Sequence, residues 1–408
     1  MKIGYIISRF PSVFQPWIAQ ELLATYESGF DIKIFSLKKP AYKIDHQAAK
    51  LLLDKIYYTP LILSFPVIYS TFILLMTNPM LFFHCVFTTI KGYYKDKRNL
   101  IKSIAILPKT FHYALIIKNS GITHIHAHWA TIPALSALLI SKISNIPFSI
   151  TCHAIDIFDE TTMLEAKIKA AKFIVTCTQY NKSHLTETYP TIDSKKIHVN
   201  YHGKDLSKVR RRGRNNSNHI NVLSVGRLSE SKGYRYLLEA MRDLRHKHDL
   251  DVRCLIIGDG PSRKMIEDMV IEYGLENAVT LTGALSHEEV LDYYDKADIF
   301  VLAMVANPDV GYPHRGIPNV IAEAMAMEIP VITTKMPAID ELVEDGKNGI
   351  LVEEKNSQAI CEAIKQLSAS KEARERMGSK GRETVEKLFD INTTIVELVK
   401  VFRNYVRN

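Results

Sequence analysis

The chain has 408 residues, of which 47% are hydrophobic and 24% are charged, so it is long enough and apolar enough for two globular domains. Its five cysteines stand apart without a Cys-x-x-Cys pair, which argues against a zinc ribbon or a disulfide scaffold and favours a reducing compartment. The net charge of +8 indicates anionic partners, whether phosphates, lipid head groups or nucleic acid. The first apolar run is too short for a signal peptide, so we expect a cytoplasmic protein.

The beginning of the chain predicts a β-α-β unit. Lys2 to Ser8 is the first predicted strand, Trp17 to Glu27 the helix and Asp31 to Ser36 the second strand. The loop between the first strand and the helix contains no Gly-x-Gly-x-x-Gly, the fingerprint of a dinucleotide-binding dehydrogenase. A Rossmann-like domain with a different ligand is therefore expected here.

The most apolar part of the chain runs from Ile56 to Ile90 and contains no Asp, Glu, Lys or Arg. Three prolines interrupt it, so apolar helices in a membrane interface or in a core fit better than one clean span. Six basic residues follow it: Lys91, Lys95, Lys97, Arg98, Lys102 and Lys109. A basic flank beside an apolar surface suits an anionic leaflet. We expect residues 59–90 to contact the membrane peripherally, with a core segment and a true span as the alternatives.

Three histidines alternate in the segment Gly121 to Trp129. If this segment is a strand, His124, His126 and His128 share one face, which suggests a metal site. Three adjacent ligands on a straight strand cannot converge on a tetrahedral ion, however. The competing interpretation is a strand that delivers one histidine to a ligand site.

The next predicted strand, Phe148 to Cys152, leads directly into His153 and Asp156. Ligands gather at the carboxyl ends of the strands in open parallel sheets, so both residues are candidates for a functional site. A turn with hydrogen-bonded caps explains the same residues equally well.

The composition changes over residues 206–219, where a basic cluster precedes a run of Asn and Ser. We predict a linker here, between an N-terminal domain of residues 1–205 and a C-terminal domain of residues 220–385. A nucleic-acid-binding arm would carry aromatic residues among its arginines, and this segment does not, so no nucleic-acid partner is expected. Residues 386–408 have a helical pattern and are expected to pack back on the N-terminal domain.

A predicted strand, Asn221 to Val225, is followed by Gly226, Arg227 and Lys232, and then by a helix that begins at Tyr234. Gly226 gives a ligand access to the backbone, the two cations neutralise negative charge, and the helix N-terminus favours anions. Together they predict a diphosphate site, although the P-loop pattern is missing.

The segment that begins at Gly316 predicts a helix over Asn319 to Met327 and then a strand over Val331 to Thr334. Glu323 is the only formal charge within this apolar helix. It either forms a salt bridge inside the fold or accepts hydrogen bonds from a ligand diol such as a ribose. The first N–H groups of the helix, from Ile317 to Val320, suit an anion.

These motifs together resemble the retaining family 4 glycosyltransferases of GT-B fold, especially those of bacterial exopolysaccharide and colanic-acid-type clusters. The resemblance covers nearly the whole chain and is strongest from Val222 to Val352. In the N-terminal half it rests on His126-Ala127-His128-Trp129 and His153-Ala154-Ile155-Asp156. In the C-terminal half it rests on Ser224 to Leu228 with Lys232-Gly233, Ile256 to Pro261, Thr282 to Leu285, Gly316 to Val320 with Glu323 to Ala326, and Glu341 to Val343 with Gly346, Asn348 and Gly349.

The resemblance implies an α/β protein of two Rossmann-like domains whose parallel sheets face a central cleft. The C-terminal domain would bind a nucleotide-sugar donor, and the N-terminal domain would bind the acceptor. By the same resemblance Arg227 and Lys232 hold the donor diphosphate, Glu323 the ribose and His153 the transferred sugar, with Asp156 as a further catalytic residue. The remaining donor contacts would be Gly226, Gly283, Leu285, Arg315, Gly316, Ile317 and Asn319, with the base at the turn from Gly283 to Leu285.

The resemblance also implies the chemistry. Family members transfer hexoses and similar sugars with retention and usually need no metal, so neither a metal nor a cofactor beyond the nucleotide-sugar co-substrate is expected. Electrostatic stabilisation of the departing diphosphate would carry much of the catalysis without a protein nucleophile. The expected acceptor is a glycan or a polyprenyl-linked glycolipid of surface polysaccharide biosynthesis, at the inner face of the cell membrane.

Two departures from the family pattern leave other functions open. The family keeps a glutamate eight residues before Glu323, where this chain has Arg315. The first loop, Phe10 to Trp17, also differs from the usual Phe-Pro-x-x-Ser-Glu-Thr-Phe. The alternatives are a catalytically impaired subunit that binds sugar nucleotides or membranes, and a GT-B-shaped epimerase of the nucleotide sugar.

Overall fold

A computed structural model describes residues 1–12, 15–40, 47–59, 64–213, 219–306 and 316–406. The chain forms two compact units. Unit 1 consists of Met1–Lys204 and Ile391–Asn408, and unit 2 consists of Asp205–Asp390. Each unit is therefore of ordinary domain size, and unit 1 contains both ends of the chain.

In the described residues, unit 1 has a parallel sheet of seven strands in the order β3-β2-β1-β4-β5-β6-β7. The central strands β4 and β5 are buried at every position, as expected where helices cover both faces of a parallel sheet. The strands are β1 (Lys2–Arg9), β2 (Asp31–Lys38), β3 (Ile56–Tyr58), β4 (His124–His128), β5 (Phe148–Cys152), β6 (Ile174–Thr176) and β7 (Ile197–Val199).

The helices of unit 1 connect these strands, and one further helix comes from the end of the chain. They are α1 (Pro16–Glu27), α2 (Gln47–Lys50), α3 (Phe65–Thr77), α4 (Pro79–Tyr93), α5 (Lys97–Lys118), α6 (Ile132–Ser144), α7 (Ala154–Phe158), α8 (Leu164–Ala170), α9 (Gln179–Thr188) and α16 (Ile391–Val406). Short 3-10 helices cover Leu53–Lys55 and Ser194–Lys196.

The strand order of unit 1 reverses between β1 and β4, which are hydrogen-bonded neighbours. Successive strands run outwards in opposite directions from this pair. In open parallel sheets such a switch point leaves a crevice at the carboxyl ends of the strands, where ligands bind. His128 ends β4 and Cys152 ends the neighbouring β5, so this edge of the sheet carries the histidines that the sequence singled out.

Unit 2 repeats the architecture, with six described strands in the order β10-β9-β8-β11-β12-β13, all parallel. The strands are β8 (Ile220–Val225), β9 (Val252–Ile257), β10 (Val279–Gly283), β11 (Ile299–Leu302), β12 (Val331–Thr334) and β13 (Gly349–Val352). The helices are α10 (Tyr234–His246), α11 (Arg263–Glu272), α12 (His287–Lys296), α13 (Asn319–Ala326), α14 (Ser357–Ala369) and α15 (Lys371–Phe389), with 3-10 turns at Leu206–Lys208, Glu230–Lys232 and Ile339–Glu341. Its switch point lies between β8 and β11.

The last helix, α16, belongs to the core of unit 1. Its Phe402 is fully buried and lies 5.2 Å from the ring of His126 and 5.4 Å from that of Phe173, centroid to centroid. The same ring contacts Tyr5 of β1 and Phe30 at distances of 6.4 and 6.0 Å. Residues from the beginning, middle and end of the chain thus form one aromatic cluster.

Helices α3 and α4 meet at a bend of 115° and pack on α5. By length and composition, α5 is the one described helix apolar enough to cross a membrane, and the bent pair passes the same test when counted as one span. Half of the most apolar window of α5 is buried inside the protein. Most of the predicted apolar stretch is thus a helical layer on unit 1, while Ile56–Tyr58 form strand β3 and residues 60–63 lie outside the described residues.

The predicted linker does not stand apart from the units where it is described. Asp205 begins unit 2, and Arg211 donates a hydrogen bond of 2.7 Å to the carbonyl of Ala297 in the same unit. The backbone N–H of Arg212 donates to Asp295 at 2.6 Å. Residues 214–218 of the linker lie outside the described part. The return to unit 1 comes at Ile391, five residues beyond the predicted start of the last segment.

Candidate active site

The loop after β8 is shaped by close backbone contacts. The N–H of Gly226 donates to the carbonyl of Ile257 at 3.0 Å, and the carbonyl of Gly226 accepts from the Tyr234 hydroxyl at 3.0 Å. Gly233 has a φ of +66°, and a Cβ there would lie 1.7 Å from the carbonyl oxygen of Ala303. Glycine is therefore required before α10, and the loop comes close to the end of β11.

Arg227 and Lys232 lie on this loop and differ in exposure. Arg227 is exposed, whereas Lys232 is half-buried in the 3-10 turn before Gly233. Burial lowers the pKa of Lys232 to about 8. Among the described residues neither cation forms an ion pair with a carboxylate. Two cations without a counter-ion among the described residues, beside the N-terminus of α10, are suited to binding an anion.

The turn after β10 carries the predicted contacts to a base. Gly283 is buried with a φ of +84°, and its carbonyl accepts a 2.9 Å hydrogen bond from the N–H of Gly258. Leu285 is half-buried. The structure thus brings the turn at Gly283 next to the turn at Gly258, at the carboxyl ends of β10 and β9.

Helix α13 begins at Asn319, and Glu323 lies within it on a half-buried position. Burial, followed by the charge and hydrogen bonding of Glu323, raises the pKa of the neighbouring Tyr294 well above its ordinary value. The Tyr294 hydroxyl also donates to the carbonyl of Val320 at 3.1 Å. The carboxylate of Glu323 thus interacts with a neutral phenol within the fold.

The residues at the start of α13 are half-buried: Gly316, Ile317, Pro318 and Asn319. Pro318 caps the helix without a side-chain hydrogen bond, and the first turn carries no acidic residue. The first N–H groups of this helix are therefore not capped by a side chain of Pro318 and face no acidic residue of their own turn. Arg315, the position of the departure from the family pattern, lies outside the described residues.

The three histidines of β4 are buried. The Nδ1 atom of His126 lies 2.7 Å from the Ser149 hydroxyl, and its Nε2 atom lies 2.8 Å from the Thr151 hydroxyl. The Nε2 atom of His128 lies 3.0 Å from a carboxylate oxygen of Glu21. Both ring nitrogens of His126 thus have hydrogen-bond partners within the fold. His126 is therefore not available to bind a metal ion together with His124 and His128.

His153 and Asp156 have different roles in the structure. Asp156 is fully buried, and its two oxygens accept hydrogen bonds from the backbone N–H groups of His153 at 2.7 Å and Ala130 at 2.5 Å. Burial raises the pKa of Asp156 to about 7. These contacts match the interpretation of Asp156 as a cap of the turn, one that fixes the backbone on which His153 stands.

The His153 ring is buried, and its Nε2 atom has no hydrogen-bond partner among the described residues. It lies 4.2 Å from the Trp129 ring and stacks on His202 at 5.2 Å, centroid to centroid. Burial, with smaller effects of His202 and His128, lowers the pKa of His153 well below its ordinary value. The imidazole is neutral at physiological pH, and an orphaned buried nitrogen costs about 1–3 kcal/mol unless a ligand satisfies it.

Trp129 adopts a φ of +79°, which is unusual for a residue with a large side chain. Its backbone N–H donates to the carbonyl of Thr151 at 2.9 Å. The adjoining pocket is lined by Trp17, Glu21, Asn200, Tyr201, His202, Gly203, Ile391, Thr394, Ile395 and Leu398. Trp17 lies 5.3 Å from His202 and has a buried indole N–H without a described partner. Strain and unmet hydrogen bonds at one edge of the sheet indicate a ligand site.

Two groups of three side chains bring potential metal ligands within 4.8 Å of one another: Glu21, His126 and His128, and His153, Cys177 and His202. In the first group the nitrogens of His126 already have partners. In the second the rings of His153 and His202 lie within 9° of parallel, whereas nitrogen lone pairs lie in the ring planes and must converge on an ion. Neither arrangement is a tetrahedral site, and the absence of a metal requirement stays a prediction.

Sequence reasoning missed Trp17, Glu21 and His202. Each lies far along the chain from His153 and was not named as a site residue, and only the sheet order brings them together. Trp17 belongs to the first loop and helix, whose departure from the family pattern was the one available signal. Phe14 of that loop lies outside the described residues.

Two family models match parts of this chain. Residues 90–208 match the family described as Glycosyltransferase Family 4, and residues 207–384 match glycosyl transferases group 1. WcaL of Salmonella typhimurium, whose name assigns it to colanic acid biosynthesis, is 33% identical over 185 residues, 44% of this chain and 45% of WcaL. The match thus spans less than half the length of that relative.

A glycosyltransferase of Methanocaldococcus jannaschii, MJ1178, is 30% identical over 298 residues, which is 70% of this chain and 77% of that protein. Among solved structures, HepE of Anabaena in complex with UDP has a TM-score of 0.71 over 99% of this chain and 100% of HepE, at 16% identity. The likeness to HepE concerns the fold alone. By the family matches and the extent of the match to MJ1178, this chain belongs to the family 4 glycosyltransferases, and its fold is GT-B.

Proposed function

We propose that this protein is a retaining glycosyltransferase that moves a sugar from a nucleotide-sugar donor to a glycan or lipid-linked acceptor in surface polysaccharide biosynthesis. The observation that carries the proposal is the pair of cations on the loop after β8. Arg227 and Lys232 have no carboxylate partner among the described residues, and the N-terminus of α10 lies beside them. A diphosphate supplies the missing negative charge.

Unit 2 is proposed to bind the donor. Glu323 would accept hydrogen bonds from the ribose hydroxyls, and the turn from Gly283 to Leu285 would hold the base. The UDP bound to HepE, a protein of the same fold, supports a nucleoside diphosphate in this site. As the glycosidic bond breaks, negative charge grows on the departing diphosphate, and preorganised cations stabilise it most at that point.

Unit 1 is proposed to bind the transferred sugar and the acceptor. A neutral His153 with an unused buried Nε2 atom suits a hydrogen bond to a sugar hydroxyl, and Trp129 and Trp17 offer flat apolar surfaces to sugar rings. The proposed acceptor is a lipid or glycan at the inner face of the membrane. The names of two relatives, which assign them to colanic acid and amylovoran biosynthesis, support a role in polysaccharide synthesis. The mechanism requires neither a protein nucleophile nor a metal.

The test is transfer from a panel of nucleotide sugars, after a thermal-shift screen has found the donor that stabilises the protein. A donor at about 100 times its Kd adds about 2.7 kcal/mol to the free energy of unfolding. We expect one donor to give both a shift and a glycosylated product with an extract of membrane acceptors. Stabilisation without any product identifies a sugar-nucleotide-binding subunit instead, and an isomeric nucleotide sugar formed without acceptor identifies an epimerase.

Arg315 bears on which sugar is used. An arginine in place of the family's glutamate reverses a charge, and a planar guanidinium pairs well with a carboxylate. We propose that Arg315 selects a donor or acceptor with an anionic group such as a uronic acid. Comparison of wild type with Arg315→Ala and Arg315→Glu on neutral and anionic substrates decides this. The same preference in all three proteins means that Arg315 does not contact the sugar.

A further inference from the structure

The layer formed by α3, α4 and the start of α5 exposes a concentrated apolar surface. Of the nineteen exposed large hydrophobic side chains in the described residues, twelve lie between Phe65 and Ile104. They are Phe65, Ile68, Tyr69, Phe72, Met76, Met80, Phe83, Phe87, Ile90, Tyr94, Ile101 and Ile104, and Met80 is 85% exposed. Single exposed apolar residues are ordinary, but a continuous set on neighbouring helices marks a binding surface.

Helices α3 and α4 expose more large apolar side chains than they bury. Their buried sides include Ser70 and Thr89, and the Ser70 hydroxyl lies 2.8 Å from Nδ1 of the buried His112 of α5. The Thr89 hydroxyl donates to the carbonyl of Cys85. Polar groups thus find their partners within the helical layer, while Phe and Met side chains face outwards. A helix pair in bulk water would turn its Phe and Met side chains inwards and its polar side chains outwards.

The dimensions favour a position in the membrane interface over a span. Helices α3 and α4 have 13 and 15 residues and are each about 20 Å long, shorter than the roughly 30 Å hydrocarbon core of a bilayer. The 115° bend between them prevents a single straight span. The longer helix α5 is fixed to the sheet, because the hydroxyl of its buried Tyr113 donates to the carbonyl of Ser36 at 2.6 Å.

A basic rim borders the apolar surface. Its members are exposed and lie in the last turn of α4, just after α4 and in the first turns of α5: Lys91, Lys95, Lys97, Arg98 and Lys102. Asp96 is the only acidic residue between residues 56 and 118, and it caps α5 by accepting from the N–H of Asn99 at 3.1 Å. Lys91 and Lys95 lie 5.9 and 5.7 Å from the ring centroids of Phe87 and Tyr94. Cations thus stand directly beside the aromatic side chains.

We propose that this surface docks the protein on an anionic bilayer, with α3 and α4 lying in the interface and the basic rim on lipid phosphates. A second copy of the chain would bring two basic rims together, and like charges oppose that association. A bilayer offers apolar chains and negative head groups at the spacing that this surface presents. The inference deepens the proposed function, because a lipid-linked acceptor lies on the same surface, but vesicle binding is measured without sugar transfer, so either can fail alone.

The experiment is flotation of the full-length protein with two kinds of vesicle, phosphatidylcholine alone and the same lipid with about a third phosphatidylglycerol. The test variant is Phe83→Ser with Phe87→Ser, both more than 60% exposed in wild type. The matched control is Ile271→Ser, 65% exposed on α11 of unit 2. Because all three side chains lie at the surface, unchanged thermal unfolding verifies that the variants fold.

We expect wild type and Ile271→Ser to float with the anionic vesicles, and the double variant to lose about tenfold or more of its partitioning. High salt should weaken binding, and alkaline carbonate should release the protein. The proposal is overturned if wild type stays in the aqueous fraction with both vesicles, or if the double variant floats like wild type. Resistance to carbonate would overturn it in favour of a span. If wild type forms a dimer that the double variant does not form, and wild type does not bind vesicles, the surface binds a second copy of the chain instead.

Discussion

Arg227 and Lys232 lie on one loop but differ in burial. The guanidinium of Arg227 is exposed. The ammonium of Lys232 is half-buried without a carboxylate among the described residues, and burial brings its pKa to about 8. Lys232 is therefore a cation of the proposed diphosphate site whose charge changes near physiological pH, and its part can be separated from that of Arg227 experimentally.

The double variant Arg227→Ala, Lys232→Ala should slow sugar transfer by about a hundredfold or more, because both cations act on the charge that develops on the leaving diphosphate. Steady-state kinetics with the donor found by screening measures this. Lys264→Ala serves as the control, because Lys264 is an exposed cation of the same unit, paired with Asp268. Wild-type turnover in the folded double variant would refute the role.

The value of kcat/KM for the donor should fall as pH rises through about 8, because Lys232 of the free enzyme then loses its proton and its attraction for the diphosphate. Well below that pH Lys232 keeps its proton, so its titration should not change kcat/KM there. Lys232→Arg stays protonated and should lack the falling limb, even if its overall rate is lower. If kcat/KM falls at the same pH in wild type and in Lys232→Arg, the titrating group is another residue.

Site residues that lie together in a short sequence motif could be predicted from the sequence. Site residues that only the fold brings together could not. Arg227 and Lys232 were found because a strand, a glycine and a helix start lie within a few positions of each other. The sequence left two interpretations of Glu323, and its neighbour Tyr294 became visible only in three dimensions. His202 contacts His153 from almost fifty positions away, and no local pattern carries that information.

Among the secondary-structure elements, the junction between β5 and α7 matters most for the candidate site. Asp156 accepts two backbone hydrogen bonds there. Burial lowers the pKa of Lys167 to about 8, and the charge of Asp156 opposes that shift. The site residue His153 thus depends on a carboxylate that is itself hidden from solvent. Asp156 acts in this structure by positioning, and its direct part in catalysis stays a prediction.

Asp156→Ala should lower the free energy of unfolding by about 2 kcal/mol or more, because two buried N–H groups lose their acceptor. Glu160→Ala, at an exposed position just beyond the same helix, should change it by no more than about 0.5 kcal/mol. Denaturant unfolding compares the two. Transfer should fall in Asp156→Ala under conditions where it remains folded, since His153 loses its fixed backbone. Equal stability of both variants would remove this role from Asp156.

Elements with a strong period were located well from the sequence. The predicted strands Phe148 to Cys152 and Val331 to Thr334 have the bounds seen in the structure. Strand β3 was missed, since three residues within a long uncharged run have no period of their own. The outward orientation of the apolar side chains of α3 and α4 could not be read either, because composition shows how apolar a segment is but not which side is covered.

For the whole molecule, the return of the chain into unit 1 sets the stability of that unit. Phe402→Ala should lower the free energy of unfolding by about 3–5 kcal/mol, because the ring is fully buried in the cluster of aromatic and histidine side chains around Tyr5. Val396→Ala, half-exposed on the same helix, should cost about 0.5 kcal/mol or less. Denaturant unfolding of the two variants measures the difference. A similar small loss in both would show that α16 adds little to unit 1.

The same return of the chain fixes an order of events during synthesis. The strands of unit 1 leave the ribosome first, but the aromatic cluster of β1 and β4 stays open until α16 has been made. Unit 2 lies between them in the chain and is complete earlier. The half that is translated first is therefore the half that finishes folding last, and a nascent chain released before residue 391 carries an exposed apolar face where α16 belongs.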